Sequence, residues 1–432
     1  MKKLIALLLA AVFALTLLSG CKSGADKPAA ESGGIATELT EPVELVIWNT
    51  YTEHHAAAFQ EILDDFNASQ DMITVTVQTQ PYQDFDSKLM QAVRNGTGPD
   101  IVTAFPTAVA NYIQDDLIVD FAPYIADEKI GIANFKDDMV GDLYSEITQW
   151  DASKIYMIPT IVTSEVLFYN KTMYDELGLK VPTTWAELES NSRAIYEAKG
   201  IPGFGSDSAT DTWQGLIVQA GSGYIDADTK TVAFDNDIAL EKLTWYSDLV
   251  KEGVFRLVGE DFYFSNPFGS QAVGSYIGSS AGVDYAVGAA NGAFEVGCAP
   301  IPQDGKVPYI SSWGGGYIAF KTTDEKALAA YEFLKYFAQP EVCAKWAIAF
   351  GAVPAYNAAV ATDAFKQYAE TNIAAKALSE EINNVGYLSS IAGSAGVRTA
   401  IDKMIQESAM GVTDPKDALA NCVAESNAEL AQ

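Results

Sequence analysis

Between Val43 and Ala104 the chain alternates two apolar periodicities, and this alternation narrows the fold more than any other feature. Val43-Glu44-Leu45-Val46-Ile47-Trp48 is a short run rich in β-formers. Residues 53–66 (EHHAAAFQEILDDF) place Ala57, Phe59, Ile62, Leu63 and Phe66 at helical spacing. Ile73–Val77 reads as a second strand and Asp84–Val93 as a second helix, stopped by Asn95-Gly96-Thr97-Gly98-Pro99. Ile101–Ala104 reads as a third strand. A β-α-β-α-β order predicts an α/β fold with a mostly parallel sheet under helices. Further helices are predicted at 236–252, 324–338 and 341–349, and Thr184-Trp185-Ala186-Glu187 is a capping-box candidate. In such sheets a ligand sits in loops beyond the carboxyl ends of strands. Those loops are predicted at Asn49–Thr52, Phe105–Thr107, Ser164, Ser279–Gly282 and Ser312–Gly316.

Charge and composition remove several functions. The 432 residues are 49% hydrophobic, enough for two or three packed domains and too apolar for a disordered chain. Lys and Arg number 27 against 57 Asp and Glu, a net charge of −30. A field of that sign repels phosphate backbones, so no nucleic-acid partner is expected, although one small anion in a local pocket is still allowed. The two histidines, His54 and His55, are adjacent, which leaves too few for most zinc sites or His-based catalysis. No metal and no cofactor are expected. Cys298, Cys343 and Cys422 lack metal-ligand spacing and read as buried thiols acting as small hydrophobes.

The first twenty residues read as an export signal. Lys2 and Lys3 precede an apolar run from Leu4 to Leu18, short for a membrane span. The run ends in Leu18-Ser19-Gly20-Cys21, which resembles the lipobox of bacterial lipoproteins. That resemblance implies cleavage before Cys21 and a diacylglycerol on its sulfur, anchoring the chain to the outer face of the cell membrane. Residues 22–42 (KSGADKPAAESGGIATELTEP) read as a flexible tether spanning roughly 25 Å r.m.s.. No later stretch is long and apolar enough to cross a bilayer.

The remaining motifs carry a second resemblance. They are VELVIWNTY, YQDF at 82–85, NGTGPDIV at 95–102, IPTIVTSEVLFYNKTMYDELGL at 158–179, VPTTWAEL at 181–188, GGGYIAF at 314–320 and GAVPAY at 351–356. Together they resemble the extracellular solute-binding proteins of ABC importers, in the carbohydrate-binding family, across residues 43–425. TDTWQGL, Ser279-Ser280, Gly314-Gly315 and Arg398 in GVRTAID make the glycerol-3-phosphate binders look nearest within it. The family implies a two-lobe fold of the periplasmic-binding-protein type, with hinge strands between lobes and ligand in the cleft. By that resemblance lobe one is 43–162 plus 281–338, and lobe two is 163–280 plus 339–432. Closure around the ligand is a population shift that the membrane permease reads. The implied partners are a small carbohydrate or glycerol-phosphate solute and the ABC permease subunits, and the chain is expected to be a monomer.

The resemblance also names candidate ligand contacts. Tyr82 matches the family's cleft tyrosine by its spacing to Gly98-Pro99, and such a ring stacks on a sugar or glycerol backbone. Thr163 and Ser164 precede the LFYN strand and offer hydroxyls from a crossing segment. Trp213 matches a family tryptophan that walls the apolar face of a polyol. Ser279, Ser280, Gly314 and Gly315 offer hydroxyls and close backbone approach, a nest for an anion. Arg398 is the cation that the match places in the cleft, a natural counter-ion for phosphate. Two departures open the ligand identity. Phe105-Pro106 stands where glycerol-3-phosphate binders carry an acid, and Ala352 stands where they carry a tyrosine. A glycerophosphodiester, a sugar phosphate or a neutral sugar then fits, with Trp48, Tyr51 and Trp313 as substitute stacking surfaces.

Catalytic motifs are incomplete. Gly278-Ser279-Ser280-Ala281-Gly282 fits the G-x-S-x-G nucleophile elbow, but no histidine follows it. No carboxylate pair stands out for glycoside hydrolysis, and no phosphate-binding G-x-x-x-x-G-K-[ST] loop occurs. The chain is therefore read as a non-enzymatic receptor. The alternatives are an extracytoplasmic lipid-anchored carbohydrate-active enzyme and a sensor domain on the same fold.

Overall fold

The computed structural model describes residues 35–81, 85–303 and 305–431. The opening alternation folds as its periodicity dictates. Strand β1 (Val43–Asn49), helix Glu53–Ser69, strand β2 (Ile73–Thr79), helix Phe85–Arg94 and strand β3 (Ile101–Ala104) follow in order. Leu45 and Ile47 of β1 and Phe59, Ile62 and Leu63 of the first helix are all buried. Burial of each such side chain contributes about 1.5–3 kcal/mol.

Two sheets organise the body. The first has the order β14-β4-β13-β3-β1-β2, with β4 at Ile158–Thr163, β13 at Trp313–Ala319 and β14 at Val353–Pro354. β1, β2 and β3 are parallel, and β13 runs antiparallel to both β3 and β4, so β4 points the same way as β3. The second sheet has the order β11-β5-β10-β6-β9. Its strands are β5 (Glu165–Asn170), β6 (Phe204–Ser206), β9 (Phe255–Arg256), β10 (Ser275–Ser279) and β11 (Val296–Ala299). Here β10, β6 and β9 are parallel, while β5 runs against β10 and β11. Parallel pairing holds where strands are joined through helices; antiparallel pairing appears where the chain turns back between sheets. A hairpin of β7 (Ile225–Asp226) and β8 (Thr231–Val232) lies outside both.

Among the described residues, the chain passes between the sheets three times. Ser164 alone separates β4 from β5. The second passage runs from β11 through β12 (Ile310–Ser311) to β13. The third runs from helix Asp363–Thr371 to helix Ile373–Glu381, the first packed on helix Pro340–Phe350 and the second on β11 and β5. β12, in the second passage, pairs with β15 (Val385–Gly386), the strand that follows helix Ile373–Glu381.

Strand membership corrects part of the expected partition. Residues 296–299 were expected in lobe one, but β11 pairs with β5 in the second sheet. Residues 339–371 were expected in lobe two, but β14 pairs with β4 and Asn357 Nδ2 donates to the Asp138 carbonyl at 3.1 Å, both within the first sheet's body. Ser312–Gly316 was expected as a loop, but Trp313 onward is strand β13. Its glycines serve close packing: a Cβ on Gly316 would sit 2.4 Å from the Ile158 carbonyl oxygen, beside the bulge between Gly315 and Gly316. Among the described residues no helix is long and apolar enough to cross a membrane.

Candidate functional site

The carboxyl ends of β1, β3 and β4 and the start of β13 meet at one edge of the first sheet, beside the Ser164 passage. A cavity of about 300 Å³ opens there. Thr50, Tyr51 and Thr52 come from the turn after β1, His55 from the first turn of helix Glu53–Ser69, Phe105 from just past β3, and Gly315 and Gly316 from β13. The wall behind them is aromatic. Tyr51 packs on Phe59 and Trp346 at centroid separations of 5.4 and 5.0 Å, and His55 stacks on Phe350 at 4.7 Å. The Tyr51 hydroxyl is fixed by Thr103 Oγ1 at 3.2 Å and the Tyr317 hydroxyl at 3.1 Å, and burial raises its pKa. Hydroxyls, backbone and ring faces line this cavity, and among the described residues no Lys, Arg, Asp or Glu lines it.

The matching edge of the second sheet holds charge, already compensated. Arg398 Nη1 and Nη2 donate to Asp211 Oδ1 and Oδ2 at 2.6 and 3.0 Å, and Nη1 also reaches Gln214 Oε1 at 3.1 Å. Burial works against the guanidinium charge, and the Asp211 carboxylate more than offsets it, so the Arg398 pKa lies above its ordinary value. Glu165, at the head of β5, is pushed well up by burial and then by the Asp211 charge, with Arg398 opposing. Asp207, just past β6, is raised by burial to about 6 while accepting the Phe264 amide at 2.6 Å.

The expected site residues divide. Tyr82 lies outside the described residues, as does Cys21. Gly315 lines the cavity, and Tyr51, named as a substitute stacking surface, stands in its wall. Gly314 is buried in β13 opposite Val162, and its amide donates to Ser312 Oγ at 3.3 Å, so it is already engaged within the protein. The crossing hydroxyls are turned inward. Thr163 Oγ1 donates to the Trp313 carbonyl at 3.2 Å and Ser164 Oγ to the Ser311 carbonyl at 2.5 Å. Ser280 Oγ accepts the Ser164 amide at 3.4 Å, and Ser279 Oγ accepts the Ala281 amide at 3.3 Å. Thr163 and Ser164 tie the first passage to the second, Ser280 meets the first passage from the end of β10, and Ser279 caps its own turn. Trp213 is fully buried, edge-on to Phe234 at 5.4 Å, and belongs to the second sheet's core rather than a ligand wall. Arg398 forms a bidentate ion pair instead of offering an unopposed cation.

Sequence reasoning missed Thr103, Phe350, Glu146 and the Asp211–Glu165 group. Nothing in the local pattern marks them, because each acquires its setting from a distant segment. Glu146, on helix Leu143–Ile147, is buried below the β13 edge and accepts Ser312 Oγ at 2.7 Å; burial raises its pKa to about 7. Among the described residues, no group of three or more His, Cys, Asp or Glu side chains is arranged to hold a metal ion. Cys298, Cys343 and Cys422 are free thiols, the last two buried.

Two mixed sheets joined by three passages, with a cavity at the edge beside them, define a two-lobe binding protein. The family model for bacterial extracellular solute-binding proteins matches residues 61–373, and the chain belongs to that family. It is 23% identical over 230 residues to the arabinooligosaccharide-binding protein of Halalkalibacterium halodurans, covering 51% of this chain and 48% of that one. It is 27% identical over 153 residues to the multiple sugar-binding protein of Streptococcus mutans, covering 34% of this chain and 32% of that one. The chain thus spans at most about half the length of these curated relatives. Among solved structures, the cyclic α-maltosyl-1,6-maltose binding protein of Arthrobacter globiformis superposes with a TM-score of 0.79 at 26% identity, over 90% of this chain and 99% of that one. UgpB from Mycobacterium tuberculosis, solved with glycerophosphocholine, superposes at 0.76 with 17% identity, over 90% and 98%.

Proposed function

We propose that this chain is the extracytoplasmic receptor of an ABC importer, capturing a neutral carbohydrate between its lobes and passing it unchanged to a permease. The carrying observation is the cavity at the edge of the first sheet: aromatic walls, fixed hydroxyls and, among the described residues, no Lys, Arg, Asp or Glu in its lining. The names of the curated relatives, which bind arabinooligosaccharide and multiple sugars, favour the same ligand class. A glycerol-3-phosphate-like ligand loses its main support, because the guanidinium meant for its phosphate already pairs with Asp211. In this reading the lobes are 36–163 plus 312–371 and 164–311 plus 372–431, hinged where β4 meets β5 and where β12 meets β15. The lipobox at Cys21 supplies an acyl anchor, and residues 22–42 hold the body off the membrane.

Calorimetric titration of the mature chain tests the ligand class. Neutral arabino- and malto-oligosaccharides are expected to bind, and glycerol-3-phosphate and glycerophosphocholine to give no heat. Binding of the phosphates alone overturns the reading.

A further inference from the structure

We infer that Phe262 and Tyr263 form a second sugar-stacking platform at the rim of the second lobe, reached only by an oligosaccharide of three or more rings. This rests on the neutral-carbohydrate reading above. β9 is parallel to β6 and β6 to β10, and Ser279 at the end of β10 stands opposite Glu165 at the start of β5. The carboxyl end of β9 therefore lies at the same edge as the Ser164 passage, the edge that borders the cleft. Phe262 and Tyr263 follow β9 there, 79% and 66% exposed.

Their exposure is built into the backbone rather than left over from a loose loop. Phe262 has φ +62°, on the side of backbone space that L side chains rarely adopt. The turn is pinned on both flanks. The Tyr263 amide donates to the Asp261 carbonyl at 2.7 Å, and the Phe264 amide to Asp207 Oδ1 at 2.6 Å. Arg256 pairs with Asp261 and lies over the Phe264 ring at 5.6 Å. The Phe264 ring itself is buried over Gly205, where a Cβ would come within 2.2 Å of it. Anchored so, the two preceding rings are held outward with few degrees of freedom left to lose on binding.

Their position is not shared evenly over the surface. Among the described residues the exposed aromatic side chains are Phe105, Tyr196, Phe262, Tyr263 and Tyr285. Four of these five follow the carboxyl ends of strands. Phe105 follows β3, Phe262 and Tyr263 follow β9, and Tyr285 is in the first turn of helix Val283–Ala290 after β10. Ring faces at that edge match the apolar faces of successive sugar rings. β9 lies three strands from β5, roughly 14 Å at the usual strand spacing, too far for a single ring seated beside the passage to touch.

The test uses the mature chain and a Phe262→Ala/Tyr263→Ala double variant, titrated with malto- and arabino-oligosaccharides of two to five rings. The expected result is an affinity loss of about tenfold for four- and five-ring ligands and no change for two-ring ligands. A Phe262→Trp/Tyr263→Trp variant should restore the long-ligand affinity and report it by fluorescence. Equal loss at all lengths, or no loss at any length, overturns the platform and leaves the carbohydrate reading standing. Unchanged affinity with lost transport overturns it in favour of a permease contact. No binding of any length by the unsubstituted chain sinks both readings.

Discussion

The edges of the two sheets that border the cleft treat charge in opposite ways. Among the described residues, the first-lobe edge lines its open cavity without Lys, Arg, Asp or Glu and hides an acid beneath it, Glu146, with Ser312 as its hydrogen-bond partner. The second-lobe edge gathers Glu165, Asp207 and Asp211 and neutralises part of that charge with Arg398. The contrast teaches that a cation near a cleft is not by itself a ligand contact. In the second lobe Arg398 is paired with Asp211, whereas under the proposed function the first lobe offers its hydroxyls and rings to the ligand.

The largest expected effect breaks the comparison at Glu146. Its pKa of about 7 in the fold, against an ordinary 4.5, means that between those values the folded state keeps a proton that the unfolded chain has released. Stability therefore falls as pH rises from 4.5 to 7 and is flat above. Glu146→Gln keeps an acceptor for Ser312 and removes this loss. At pH 8 the variant should be more stable by about 3 kcal/mol, with the difference gone below pH 4.5, as read by denaturant unfolding at both pH values. A difference independent of pH would contradict the buried neutral acid. Next, Arg398→Ala leaves Asp211 and Glu165 without their counter-charge. The expected cost is roughly 2 kcal/mol in thermal or denaturant unfolding, below that of a fully buried pair because the guanidinium is half-buried. Affinity for a neutral sugar should change little in the molecules that remain folded. The smallest effect is at the open edge. Phe105→Ala, at a half-exposed ring, should leave stability within about 0.5 kcal/mol and weaken sugar affinity by about 1 kcal/mol, or fivefold. If Phe105→Ala destabilised the fold and Arg398→Ala abolished binding without doing so, the assignment of roles would be reversed.

The sequence exposed what local chemistry controls. Thr184 and Glu187 form the capping box that their spacing announced, and the helix from Glu53 carries the buried stripe of Phe59, Ile62 and Leu63. Tyr51 and His55 lie in or beside the loop after β1, and both line the cavity as that topology requires. What local pattern could not carry is partnership across distance. Asp211 and Arg398 are 187 residues apart, so nothing near either one reveals the pair. Ser164 offers the same hydroxyl to a ligand or to the Ser311 carbonyl, and only the packing of the passages decides between them. The Gly314–Gly316 run looked like a loop because glycine is common in loops, yet here it lets β13 lie against β4.

The most direct test of a hinged receptor is X-ray scattering from the mature chain with and without an oligosaccharide that binds by calorimetry, with sugar recovered and analysed afterwards. A smaller radius of gyration on addition, with every sugar molecule recovered intact, is the predicted outcome. An unchanged radius at saturation, or cleaved sugar in the recovered pool, would contradict a lobe-closing receptor.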